Sequence, residues 1–227
     1  MTVNRTATTG AEAPRFSIGT GLGRAVRRGL GVAAMALLAG CASLGQGGGA
    51  SQATPAMRWD GVPDGRLWTA ETMAAIETHG AALLNVVPAD IDTWCPGYRE
   101  ADAEGRALFW TGLISALSKH ESTWNPRAVG GGGLWFGLVQ IAPGTARGYG
   151  CEAKSGEALK DGVANLRCGV RIMASTVPRD GVVSAGMRGV AADWGPFHSD
   201  RKHQDMIDWV SSQPFCKAPQ RGLFARL

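Results

Sequence analysis

The stretch from Glu104 to His120 constrains this chain more than any other. Leu108, Trp110, Leu113, Ile114 and Leu117 recur at helical steps, which predicts a helix with much of its girth buried. The helix ends by delivering Glu121. The remaining clear periodicity is also helical. From Thr69, a candidate N-cap, to Val87 the apolar positions are Met73, Ile76, Leu83 and Leu84, and Pro88 stops the pattern. Shorter helices are expected over residues 143–149, 162–176, 183–193 and 200–213. No segment alternates at period two. The expected class is therefore mostly α, with room for one short β-hairpin near the glycines at 130–133.

The first forty residues read as an export signal. Arg24, Arg27 and Arg28 precede an apolar run from Gly29 to Leu38, which is too short to span a bilayer. The run ends in Leu38-Ala39-Gly40-Cys41, which resembles a bacterial lipobox whose Cys41 takes the lipid. Residues 1–40 are thus expected to be a lipoprotein signal peptide. Residues 41–57, rich in Gly, Ser, Ala and Gln, are expected to be a flexible tether. Residues 58–227 are of single-domain size. Ala42 after the cysteine resembles outer-membrane sorting, so the expected address is the periplasmic face of the envelope, anchored in the outer membrane.

Charge and cysteines agree with export. The chain has 23 Lys+Arg and 19 Asp+Glu, but residues 1–40 hold five of the arginines and only Glu12, so the rest carries 18 of each sign. The basic balance belongs to the leader and gives no support for a nucleic-acid partner. Besides Cys41 the chain has Cys95, Cys151, Cys168 and Cys216, an even number suited to two disulfides in an oxidising compartment. Three pairings are open. The preferred one joins Cys151 to Cys168 across two predicted helices and Cys95 to Cys216 from the early to the late chain. Paired C-x-x-C spacing is missing and the histidines are scattered, so no metal site is expected.

At Glu121 the chain becomes specific. The run Ala116-Leu117-Ser118-Lys119-His120-Glu121-Ser122-Thr123-Trp124-Asn125-Pro126 is followed by the four glycines, then by Phe136-Gly137-Leu138-Val139-Gln140-Ile141-Ala142-Pro143-Gly144-Thr145-Ala146. A third element is Ala164-Asn165-Leu166 with Cys168 to Met173 after it. This order resembles the SLT-type lytic transglycosylases of the lysozyme-like superfamily. The resemblance implies a peptidoglycan-cleaving enzyme without cofactor or metal, acting on glycan strands as a monomer held to the membrane through Cys41. It also implies that Glu121 serves as acid and then base, leaving a 1,6-anhydro sugar.

The chemistry suits that residue. Protonating a glycosidic oxygen needs a carboxylic acid that keeps its proton near neutral pH, and burial at the end of an apolar helix raises a carboxyl pKa. Around Glu121 the expected substrate-binding residues are Ser122, Gly137, Leu138, Gln140, Ile141 and Asn165. Gln140 is expected to point its amide into the sugar groove with Leu138 and Ile141 behind it, and Gly137 to allow close backbone approach to the glutamate or saccharide. Trp135 and Trp194 flank the motifs and are the candidates for stacking on sugar faces, whereas Trp110 and Trp209 sit on helical stripes and suit the core. Similar proteins carry a tyrosine near the end that reaches the glutamate. Here Ala192-Asp193-Trp194 stands instead, and Asp193 either takes over that contact or caps a helix or faces solvent. Two carboxylates would favour hydrolysis, as in a lysozyme-type muramidase; a glycan-binding lipoprotein without turnover is the third reading.

Overall fold

The computed structural model describes residues 54–217; the expected signal peptide, Cys41, most of the expected tether and the last ten residues lie outside the described residues. The elements in order are helices α1 (Gly65–Glu77), α2 (Ala82–Asn85), α3 (Ile91–Trp94) and α4 (Ala103–Ser122), strands β1 (Val129–Gly130) and β2 (Trp135–Phe136), helices α5 (Pro143–Gly148) and α6 (Gly162–Asp180), strands β3 (Ser184–Ala185) and β4 (Arg188–Gly189), and helix α7 (Asp200–Ser212). Short 3-10 turns fill Ala158–Lys160, Val190–Ala192, Gly195–His198 and Pro214–Cys216.

Helix α4 is the axis. Every residue from Ala107 to Ser118 is buried, and burying each large apolar side chain contributes about 2 kcal/mol. Asp102 caps its N-terminus, accepting from Gly105 N at 2.8 Å. Helices α1, α2 and α7 pack on it, and α6 packs on α1 and α2. Met57 and Trp59 are already buried in this core. Two disulfides fasten the periphery: Cys95–Cys216 closes the ends of the domain and Cys151–Cys168 ties the chain after α5 to α6. This is the preferred pairing among the three the sequence left open.

Three expectations need correction. The helix foreseen over residues 69–87 begins at Gly65 and breaks after Glu77, with Gly80 and the turn around it separating α1 from α2. Gly80 lies so close to Ile76 and Val170 that a Cβ would collide with both. Thr69 is no N-cap; it sits inside α1, accepting from Trp59 Nε1 at 2.8 Å and donating to Gly65 O at 3.0 Å. Residues 183–193 are not a helix but the β3–β4 hairpin followed by a 3-10 turn. Two carboxylates impose it: Asp90 accepts from Val183 N and Ser184 N at 2.6 and 2.8 Å, and Asp180 accepts from Gly189 N at 2.7 Å. Gly189, at φ 64°, lies against the carbonyls of Val182 and Val183, where no Cβ fits.

Candidate active site

The last turn of α4 carries Lys119, His120, Glu121 and Ser122, and the chain then leaves the helix through Thr123 and Trp124, both left-handed at φ 53° and 58°. Gln140, at φ 47°, is the third non-glycine residue with positive φ among the described residues. Backbone strain of this kind persists where the surroundings over-determine it, and here it is confined to the helix end and the loop facing it. The β1–β2 hairpin lies between them, pairing Val129 with Phe136 and Gly130 with Trp135.

Polar side chains weld this hairpin to the helices. Ser122 Oγ donates toward Leu138 O at 2.8 Å and Ser118 O at 3.2 Å, so its proton serves the backbone of both elements. Asn165 on α6 is fully buried; its Oδ1 accepts from Val139 N at 2.9 Å, and its Nδ2 donates to Phe136 O and Leu159 O at 2.9 and 3.1 Å. Gly137 (φ 80°) lies against Asn165 and Leu159 O, leaving no room for a Cβ. Its close approach is to Asn165 on α6 and to the Leu159 carbonyl in the turn before it. Gln140 Nε2 donates to Gly137 O at 2.8 Å and Ala128 O at 3.3 Å, and its Oε1 presses on Gly130. The amide foreseen in the groove is thus engaged with the hairpin backbone. The glycine run is also built: the Trp135 ring lies on Gly131 where a side chain would stand, and Gly133 N and Leu134 N both donate to Gly130 O at 3.0 Å.

Glu121 differs from all of these. It is partly buried, and among the described residues nothing donates a hydrogen bond to its carboxyl. Loss of water without a replacement donor disfavours the anion, and burial pushes the carboxyl up to about 7, with Lys202 on α7 pulling weakly the other way. A group with that pKa is half protonated at neutral pH and can both give and take a proton. A small pocket beside the β1–β2 hairpin gathers Trp135, Gln140, Ile141, Ala142, Thr145, Ile172, Asp193 and Trp194.

The family model for the transglycosylase SLT domain matches residues 101–183, from just before α4 to the start of the second hairpin. The chain carries a transglycosylase SLT domain. Among solved structures, it is similar to a glutamate-to-glutamine variant of DslA, with TM-score 0.67 and 28% identity over 72% of this chain and 99% of that one. A variant at a second DslA glutamate gives TM-score 0.65 and 29% identity over 70% and 95%, and wild-type DslA 0.66 and 28% over 72% and 99%. No curated protein matches in sequence. The SLT domain places the chain among peptidoglycan-active enzymes with a lysozyme-like, mostly helical fold.

The SLT match ends before Asp193 and Trp194. Trp194 is buried, donating from Nε1 to Val139 O at 2.8 Å, whereas Trp135 is 46% exposed. Leu138 and Ile141 are buried behind the hairpin. Asp193 is partly buried and makes no hydrogen bond with Glu121; its Oδ2 accepts from Tyr149 Oη at 3.1 Å. Burial raises the Asp193 pKa, against the Tyr149 bond and the charge of Arg179. Tyr149, unforeseen in the sequence, thus enters the site from the end of α5. Lys202 and Asp205, one turn apart on α7, were also missed; their spacing marks a shared helix face, but nothing in the sequence says that this face meets the end of α4.

Proposed function

We propose that the protein is a peptidoglycan lytic transglycosylase that cleaves the β-1,4 bond between MurNAc and GlcNAc with Glu121 as acid and then base. The observation that carries this reading is the donor-free, partly buried carboxyl of Glu121 with a pKa of about 7. Glu121 gives its proton to the bridging oxygen, and the bond from that oxygen to the MurNAc anomeric carbon breaks. The resulting carboxylate takes the proton of the 6-hydroxyl of the same MurNAc, whose oxygen bonds to the anomeric carbon. The product is a 1,6-anhydro sugar and Glu121 is again protonated. No second carboxylate is needed. DslA structures carry glutamine in place of either of two glutamates, but here no Asp or Glu occurs between Glu121 and Glu152, so the β1–β2 hairpin offers none.

Trp135 supplies a stacking face, and the hairpin bonds of Ser122, Asn165 and Gln140 hold the groove wall in place. The enzyme acts as a lipoprotein anchored through Cys41 at the periplasmic face, in the outer membrane. A second reading, hydrolysis by water, rests on Asp193, a partly buried carboxyl in the pocket beside Trp135 and Gln140. Mass spectrometry of muropeptides released from purified peptidoglycan separates the two. Anhydro-muropeptides, lost in Glu121→Gln, support the transglycosylase; reducing-end products would replace it with a hydrolase, and no release at all would leave a binding module.

A further inference from the structure

Bonded to the two residues that precede Glu121 stands a carboxyl with the opposite surroundings. Asp205 on α7 accepts from Arg58 Nη2 at 2.9 Å, from Lys119 Nζ at 3.3 and 3.4 Å and pairs with His120 Nε2 at 2.7 Å. Arg58 Nη1 also reaches it at 2.7 Å. The three partners come from the start of the domain and from the two residues that precede Glu121. One side chain therefore joins the N-terminal segment, the end of α4 and α7.

We propose that Asp205 is a positioning residue for Glu121: by collecting Arg58, Lys119 and the His120 ring on one carboxylate it pins α7 to the last turn of α4 and holds the charges of Arg58 and Lys119 away from the catalytic carboxyl. This rests on the reading of Glu121 as the acid. The charged groups around the junction are Lys119 and His120 on α4, Lys202 and Asp205 on α7, and Arg58 from the N-terminal segment; the β1–β2 hairpin brings none. Of these cations only Lys202, with no acidic partner among the described residues, acts on Glu121. Lys119 lies two residues from Glu121 in the chain, yet its ammonium is turned to Asp205. Released from that carboxylate, a cation within about 6 Å of Glu121 would favour its ionised form by on the order of one pH unit or more. The acid would then be lost at neutral pH.

The test follows the Glu121 carboxyl by carbon-13 NMR in labelled protein, beside the pH dependence of muropeptide release. In Asp205→Asn the Glu121 midpoint and the alkaline limb of the rate are expected to fall together by about one pH unit, with kcat reduced about tenfold and KM little changed; adding Lys119→Gln is expected to bring both back toward wild type. A folded Asp205→Asn protein whose Glu121 midpoint stays at the wild-type value overturns the proposal. Should Asp205→Asn not fold, the surface variants decide. Lys119→Met is expected to leave the Glu121 midpoint in place while Lys202→Met raises it, and equal shifts in both would overturn the proposal. If wild type releases nothing from peptidoglycan, the functional reading fails while the titrations still test the positioning.

Discussion

Glu121 and Asp205 occupy the same junction of α4 and α7, and the fold treats their carboxyls in opposite ways. Asp205 is met by the cations Arg58 and Lys119 and by the His120 ring, and stays ionised far below the usual carboxylate range, the Arg58 bond being the largest cause. Glu121 is met by none of them directly and, through burial, rises to about 7. The difference lies in donors: a carboxyl that loses water and gains hydrogen bonds becomes a fixed anion, and one that loses water without replacement becomes an acid. An enzyme that must protonate a sugar oxygen needs the second beside the first.

The largest expected effect comes from removing the acid. Glu121→Gln should lower turnover on peptidoglycan by about a thousandfold or more, since general acid–base catalysis contributes typically 10²–10⁴-fold per residue; retention of a tenth of the activity would transfer the role to another group. Next comes the wall that keeps Glu121 dry. Asn165→Ala takes their Asn165 partner from the buried Val139 N–H and the Leu159 carbonyl and leaves Phe136 O with Ile141 N alone, so chemical denaturation should show a loss of about 3 kcal/mol, with the Glu121 midpoint moving down toward 4.5 as water enters. A stable variant with an unchanged midpoint would show that the hairpin is not what desolvates the acid.

Stability against pH sharpens the contrast, because the two signs are opposed. Glu121 has its folded pKa raised from 4.5 to about 7, so the folded state binds the extra proton and stability declines as pH rises through that window. Glu121→Gln should therefore stabilise the protein by about 2 kcal/mol above pH 8 and by nothing at pH 4. Asp205 has its folded pKa depressed; its stabilisation is present above the unfolded carboxylate value and is lost as pH falls toward the folded one. Asp205→Asn should cost about 1 kcal/mol at pH 7, discounted for its partial exposure, and that cost should shrink below pH 4. Melting curves across pH check both. The smallest effect is expected at Trp135, half exposed on the hairpin: Trp135→Ala should leave Tm nearly unchanged while raising KM a few-fold.

What the sequence made legible was whatever is written in one stretch of chain. The buried helix ending at Glu121 needs only its own periodicity, and α5 its N-terminal proline. The two hairpins divide along the same line. The first announces itself by its glycines, whereas β3–β4 depends on Asp90, more than ninety residues away in the chain, accepting from Val183 and Ser184. Among site residues, Ser122, Gly137, Gln140 and Asn165 were named as substrate groups, and the structure gives each a backbone hydrogen bond in or beside the hairpin. Motif order finds such residues but does not say which way their hydrogen bonds run. Tyr149, Lys202 and Asp205 were invisible because their partners lie on other elements.

The most direct measurement is the titration of the Glu121 carboxyl in the wild-type protein, read site by site by NMR. A midpoint near 7 is expected, with Asp205 ionised throughout the range; a midpoint near 4.5, that of an ordinary solvated glutamate, would contradict the claim that this residue is held as a catalytic acid.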